Sequence, residues 1–381
     1  MPSKTRVLIC RSNPIDPDPR VEKIAASLAE AGYEVEVVGW DRTAELPAES
    51  GGEGFRLHRL PIRAPYGKGL NNLPQLMRWQ FGLTRWLLRR RKQFGVLHAC
   101  DFDTVLPALL AARLSGAALV YDIFDFYADH LRATPDWIKR LIRRVDLWAI
   151  GRAEGVILAD DARTDQIKGS HPRRLAVIYN SPQEDDAPPS QAGNSPAQNG
   201  LAIGYVGLLQ VERGLVELLD VIGRHPEWRL EMAGYGGDEE VILPLAEKNS
   251  NVRWHGRIDY NSAISLYRRA DALVATYDPA IPNHRYSSPN KVFEAMMLGK
   301  PIIVAENTNM DRLIEENSCG LVIPYGDSEA LEQALVQLYS DPNLRKTLGE
   351  NGRQAYETRY SWARMAESLL VLYQEIAPAA G

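Results

Sequence analysis

The sequence predicts an α/β protein built from two Rossmann-like, doubly wound domains that face one another across a cleft. Three observations carry that expectation. From Val7 onward, apolar β-branched runs alternate with amphipathic stretches, the strand–helix–strand order that builds parallel sheets. The order breaks once, at residues 181–200, SPQEDDAPPSQAGNSPAQNG, a proline-, glycine- and polar-rich stretch with almost nothing to bury. It then restarts with a fresh strand, Leu201–Val206. At 381 residues, each half is long enough for a core of its own. This assigns residues 1–180 to a first domain, 181–200 to a linker, 201–360 to a second domain and 361–381 to a final helix.

Val7–Cys10 reads as the first strand and Arg11–Pro17 as a polar, proline-rich loop. Asp18 and Pro19 open a helix that runs to about Ala31 and ends at Gly32. Tyr33–Gly39 is the second strand. No GxGxxG is present, so a dinucleotide cofactor is not supported. Further strands are expected at Phe55–Leu60, Gly95–His98, Ala117–Asp122, Gly155–Leu158 and Leu175–Asn180. Ligands of such sheets sit beyond the carboxyl ends of the strands. There the chain places Asp101, ahead of a helix over Thr104–Leu114, and the pair Asp122 and Asp125. These aspartates suit acceptor or sugar contacts; they equally suit capping of the helices that follow. Arg20, in the first helical turn, is a candidate for contact with a phosphate or an acceptor.

The formal net charge of −5, with 24% charged residues, gives no global basic bias toward nucleic acid. Cys10, Cys100 and Cys319 are far apart and fit no metal or disulfide spacing, so they read as small buried apolar residues in a reducing cytosol. No signal peptide is expected ahead of the first strand, and no run of eighteen apolar residues occurs. Two segments stand out against the acidic average. Residues 66–94 hold seven basic side chains and no acid, interleaved with Leu76, Trp79, Phe81 and Trp86. Residues 137–152 mix Trp137, Leu141 and Trp148 with Lys139, Arg140, Arg143 and Arg144. Basic amphipathic helices with tryptophan suit an anionic membrane surface. They also suit packing on the domain core with solvated arginines.

In the second half, the strand Leu201–Val206 leads into Gly207, a loop, Arg213 and Gly214, then a helix from Leu215. A strand, a glycine loop and a basic residue at a helix start make a phosphate cradle. Strand Trp228–Ala233 is followed by the turn Gly234–Tyr235–Gly236–Gly237. Strand Val252–His255, a helix over Asn261–Ala270 and strand Ala272–Thr276 lead to a polar loop ending near Tyr286. The stretch YSSPNKVFEAMMLGKP, residues 286–301, then organises the rest. Ser288 reads as an N-cap, Pro289 as the first helical residue, Lys291–Leu298 as the helix and Gly299 as its C-cap. Lys291, on the first turn, can reach a phosphate. Glu294, one turn on, can accept from ribose hydroxyls. After strand Pro301–Val304, residues 307–310 start another helix, and the chain finishes with three helical segments, the last over Trp362–Ile376.

This stretch resembles the nucleotide-sugar motif of the retaining glycosyltransferases of the GT-B fold, family four (group 1 type), which reads P-N-K-hydrophobic-F-E and then G-K-P-hydrophobic. DPRVEK followed by GYEVEVV resembles the start of many such chains, and the basic residue before a glycine at Arg213 resembles their second phosphate motif. The resemblance implies transfer of a sugar from a nucleotide-sugar donor, UDP-linked first and GDP-linked next, to an acceptor hydroxyl with retention. The acceptor expected is a glycan or lipid-linked intermediate of cell-surface polysaccharide synthesis, handled in the cytoplasm, at the inner membrane face if segments 66–94 and 137–152 meet lipid. Arg213, Lys291, Asp101 and Asp125 are the implied catalytic residues. Gly207, Gly234, Tyr235, Tyr286, Ser288, Asn290 and Glu294 join Arg213 and Lys291 around the donor. No metal or other cofactor is expected, because positive side chains serve the diphosphate and Asp101-Phe102-Asp103 opens a helix. The final helix is expected to cross back onto the first domain. The chain departs from the pattern at Tyr286, where many members have an acid, at Leu208, where a second basic residue is common, and at Cys100 and Phe124, where histidines stand. An epimerase of the same shape and a non-catalytic binding member remain the alternatives.

Overall fold

The computed structural model describes residues 5–65, 72–131, 134–184, 200–286 and 288–378, with the side chain of His130 excepted. Lys68, Ser287 and most of the expected linker lie outside them. The chain divides into two compact units, one running to Tyr179 and resuming at Met365, the other spanning Asn180–Arg364.

The N-terminal unit contains, in chain order, β1 (Arg6–Cys10), α1 (Pro19–Glu30), β2 (Glu34–Asp41), β3 (Glu49–Gly51), β4 (Phe55–Pro61), α2 (Leu73–Arg90), β5 (Val96–Cys100), α3 (Phe102–Ser115), β6 (Ala118–Ile123), α4 (Tyr127–His130), α5 (Asp136–Ile150), β7 (Gly155–Leu158) and β8 (Leu175–Val177). Its sheet runs β3-β4-β2-β1-β5-β6-β7-β8, parallel except for the β3–β4 pair. Central strands such as β1 are buried on both faces, which is why they read as unbroken apolar runs. Strand order reverses between β1 and β5, so the carboxyl ends of those two strands form the switch point where ligands of such sheets bind. The expected strand over Leu175–Asn180 shortens to β8 at the sheet edge. The hairpin strand β3, Glu-Ser-Gly, carries no apolar pattern that would reveal it.

The last helix, α13 (Trp362–Ile376), packs on this unit through a buried polar relay. The Tyr373 hydroxyl lies 2.7 Å from Nδ1 of His98, whose Nε2 is 3.4 Å from Asp122. Asp122 is paired in turn with Arg20 at 2.9 Å. Arg20 is therefore not turned toward a ligand: its guanidinium is buried, bonded to Asp122 and to the Ile178 carbonyl at 2.7 Å. His98, Cys100 and Asp122 offer ligand atoms within 4.8 Å of one another, but the guanidinium on Asp122 makes them a hydrogen-bonded core rather than a cation site. Tyr373→Phe removes one end of the relay without changing its volume and is expected to cost about 1–3 kcal/mol, read as a lower midpoint in denaturant with an unchanged m-value.

A second buried group sets a pH dependence. Asp146 on α5 accepts from the Tyr121 hydroxyl at 2.7 Å, and its other oxygen has no hydrogen-bond partner among the described residues. Burial, aided by the Asp101 charge, pushes its carboxyl up to about 7, while the Tyr121 bond opposes the shift. The folded chain then holds a proton that the unfolded chain releases near pH 4, so stability falls as pH rises from about 4 to 7. Asp146→Asn is expected to flatten that decline, checked by melting temperatures at pH 5 and pH 8.

The C-terminal unit contains β9 (Ala202–Val206), α6 (Leu215–Arg224), β10 (Arg229–Ala233), α7 (Glu239–Glu247), β11 (Val252–Trp254), α8 (Tyr260–Arg269), β12 (Ala272–Ala275), α9 (Asn290–Leu298), β13 (Ile302–Ala305), α10 (Met310–Asn317), β14 (Gly320–Ile323), α11 (Ser328–Ser340) and α12 (Pro342–Ala355). α13 (Trp362–Ile376) follows. The sheet is parallel, in the order β11-β10-β9-β12-β13-β14. Its order reverses between β9 and β12, which fixes this unit's switch point.

Candidate active site

The carboxyl ends of β9 and β12 and the start of α9 meet at that switch point. After β9, Gly207 turns the chain, and a single helical turn over Val211–Arg213 closes at Gly214. Gly214 has φ of 65°, and a Cβ there would fall 2.1 Å from Thr276 Oγ1. Glycine is what lets this turn lie against the end of β12. Arg213 is thereby set with its guanidinium 4.0 Å from the centroid of the Tyr277 ring. Lys291 and Glu294 project from successive turns of α9, and both are buried. The Lys291 ammonium lies 3.6 Å from the Tyr205 ring centroid and 3.3 Å from the Val274 carbonyl. A Cβ on Gly207 would be 3.7 Å from that ammonium, so the glycine loop runs close beside it.

The electrostatics tie the three charged groups together. Burial holds the Lys291 pKa well below its ordinary value, the Arg213 charge lowers it further, and Glu294 opposes both. Glu294 also adds to the burial that raises the Tyr267 and Tyr277 hydroxyls. A guanidinium, an ammonium and one carboxylate thus share a desolvated nook floored by tyrosines. Its positive charge is in excess, which suits an anion with hydroxyls attached.

The start of α9 differs from the sequence reading. Pro289, in extended conformation at φ −71° and ψ 145°, occupies the N-cap position, and Asn290 is the first helical residue. Ser288 does not cap the helix; its Oγ is buried and has no hydrogen-bond partner among the described residues. The first amides of α9 therefore lack a side-chain cap, and an orphaned hydroxyl stands beside them, an arrangement that a phosphate would satisfy.

Gly234 lies at φ 143°, and a Cβ there would come within 1.7 Å of the Gly207 carbonyl oxygen. The Gly207 amide in turn donates to Ala233 at 3.0 Å, so the loops after β9 and β10 lie flat against each other. Tyr235 is half exposed, with the Arg257 guanidinium 4.7 Å from its ring centroid. Tyr286 ends a short turn over His284–Tyr286 and is half-buried. That turn is anchored through His284, whose Nδ1 is 3.1 Å from the Asp278 carbonyl. Beyond β13, Asn307 and Asn309 hold φ of 61° and 59°, local strain of the kind that marks ligand loops.

Asp101 and Asp125 belong to the N-terminal unit, at the switch point of its own sheet. Asp101 sits at φ 63°, accepts from the Phe124 amide at 2.8 Å and is ion-paired with Arg11. Burial pushes its carboxyl up to about 6 against the pull of Arg11, with Asp103 and Asp125 adding to the rise. Asp125 is paired with Arg163 at 2.7 Å. Phe124, which stands at an expected histidine position, lies under two guanidiniums, Arg11 at 4.1 Å and Arg20 at 4.7 Å. The sequence reading missed Arg11 and Arg163. Arg11 follows β1 directly, a position that stands out only once β1 and β5 are known to be neighbours. Tyr205 and Tyr277 were also missed, because aromatic residues at strand ends read as core.

Residues 190–355 match the family described as glycosyl transferases group 1, and residues 17–181 match the glycosyl transferase 4-like domain. The alpha-D-kanosaminyltransferase of Streptomyces kanamyceticus is 22% identical over 358 residues, covering 85% of this chain and 90% of that one. Among solved structures, the sucrose-phosphate synthase of Thermosynechococcus elongatus superposes with a TM-score of 0.79 at 18% identity, over 97% of this chain and 98% of that one. Anabaena HepE in complex with UDP-glucose superposes with a TM-score of 0.71 at 14% identity, over 98% of this chain and all of that one (100%). These likenesses fix the fold as GT-B.

Proposed function

Since the chain belongs to the group 1 glycosyltransferases, and is an enzyme of that kind, we propose that its C-terminal unit holds a nucleotide-sugar donor by the diphosphate and ribose. Arg213, Lys291, the amides at the start of α9 and Ser288 take the diphosphate; Glu294 takes the ribose hydroxyls. The observation that carries this reading is the shared nook of Arg213, Lys291 and Glu294, where burial and the neighbouring guanidinium hold the Lys291 pKa down and one carboxylate faces two basic side chains, an imbalance that a diphosphate would offset. Breaking the anomeric C–O bond leaves charge on the diphosphate oxygen, and the two cations are placed to stabilise it as it develops. The chain's own positive charges fill that role without calling on a metal. The Gly207 and Gly234 loops, with Tyr235, flank the base; Tyr286 and Asn290 border the sugar side.

The N-terminal unit supplies the acceptor site. Asp101 and Asp125 orient the incoming hydroxyl, steered by Arg11 and Arg163. The donor we favour is a UDP-sugar, a preference supported by the fold's likeness to HepE with its bound UDP-glucose; a GDP-sugar is next. The acceptor is a glycan or lipid-linked intermediate of cell-surface polysaccharide, and the transferred sugar keeps its anomeric configuration. A melting-temperature screen of UDP-, GDP-, dTDP- and ADP-sugars tests the donor. A binder at a hundred times its Kd adds about 2.7 kcal/mol of stability, whereas no response to any of the four sinks the reading. NMR of the product's anomeric proton decides retention.

A further inference from the structure

We propose that one outer face of the N-terminal unit, formed by α2, α3 and α5 side by side, is a docking surface for an anionic lipid bilayer. The proposal does not depend on the donor site, since none of the residues on this face belongs to it. The three helices share the core beneath them, and α3 lies between the other two. Each turns an apolar edge inward: α2 buries Trp79, Leu83 and Leu87. What distinguishes the face is the opposite side.

On α2, Leu73, Met77 and Phe81 repeat every four residues on the solvent side, and Phe81 is 71% exposed. On α5, Trp137, Leu141 and Trp148 are likewise outward, with Trp137 63% exposed. Leu110 and Leu114 of α3, the middle helix, are exposed as well. Single exposed apolar side chains are ordinary; three adjacent helices that all present them are not. The arginine at position 113 joins the edges of α3 and α5, its guanidinium 5.8 Å from the Trp148 ring.

The charge on the face decides what covers it. Arg78, Arg85 and Arg89 of α2, with Arg140 and Arg144 of α5, point outward or sit at the rim, and none has an ion-pair partner among the described residues. Asp136 is the exposed acid on α5, and Asp146 is buried beneath it. Cations interleaved with tryptophan, phenylalanine and leucine complement lipid phosphates above acyl chains. A second copy of the same face would instead bring arginine against arginine across a two-fold axis, which disfavours self-association. Among the described residues no helix is long and apolar enough to cross a membrane, so contact is at the interface.

The test is co-sedimentation of the full chain with vesicles of phosphatidylcholine alone and of phosphatidylcholine mixed with phosphatidylglycerol. Binding is expected only to the anionic vesicles and is expected to weaken as salt rises. In an Arg85→Gln, Arg144→Gln variant, partitioning should fall roughly fivefold per neutralised arginine. Phe81→Ser with Trp137→Ser should reduce binding while leaving its salt dependence. Both pairs are exposed, so melting temperature and UDP binding should match the parent protein. Equal binding to neutral and anionic vesicles, or unchanged partitioning of both variants, overturns the proposal. So does a dimer in light scattering that the same variants dissociate, which would make the face a self-interface.

Discussion

Replacing Lys291 with alanine or methionine is expected to lower kcat/KM by about 10²–10³-fold, the usual loss when one group stabilising a developing anion is removed. The methionine change is expected to leave the unliganded protein no less stable. Burial and Arg213 hold the Lys291 pKa below its unfolded value, so the unfolded chain binds the proton more readily. Stability on this account rises with pH toward the unfolded pKa of about 10.4, and at pH 7 the buried amine is a cost. Lys291→Met removes that cost at similar volume and should raise the melting temperature by a few degrees while abolishing the stabilisation by UDP. An active site that weakens the fold it sits in is a common trade. Retention of a full UDP-induced shift in Lys291→Met would contradict this assignment.

Gly234→Ala is expected to be among the most damaging glycine substitutions in the C-terminal unit and to act directly on the candidate site. The new methyl would lie 1.7 Å from a backbone oxygen of Gly207, at a φ of 143° that alanine resists. Both partners are main chain, so neither side chain rotation nor local breathing relieves the contact. A loss of about 3 kcal/mol or more is expected, together with loss of donor binding as the Gly207 loop is pushed off the Lys291 ammonium. Gly32→Ala is the control. It also lies at positive φ, 95°, but a Cβ there meets nothing within 4 Å, so only the conformational cost of roughly 1–2 kcal/mol should remain. Equilibrium denaturation of the two variants separates clash from conformation.

Much of this was legible in the chain. Buried parallel strands must be apolar on both faces, so their order showed directly, and the glycine turns and α9 followed from their punctuation. Arg213 and Lys291 stood out because phosphate cradles need cations at helix starts, and Glu294 because it lies one turn beyond Lys291, where a carboxylate can accept from ribose hydroxyls. The errors came from what sequence does not encode locally. Ser288 looked like a cap, but an extended Pro289 took that position and moved the helix start to Asn290. Arg20 looked open to ligand until a buried Asp122, a hundred residues on, claimed its guanidinium. The basic helices supported two readings, and the structure shows the core-packing one, with α2 burying Trp79 on one side, while Phe81 on the other side is exposed.

The most direct measurement is calorimetric titration of UDP into the parent protein, Arg213→Ala, Lys291→Ala and the double variant. If both cations clasp one diphosphate, each single change should weaken binding at least tenfold, about 1.4 kcal/mol, and the double loss should differ from the sum of the two, as expected of groups that share a guest. UDP that binds both single variants with the parent's Kd would mean that these side chains meet only each other.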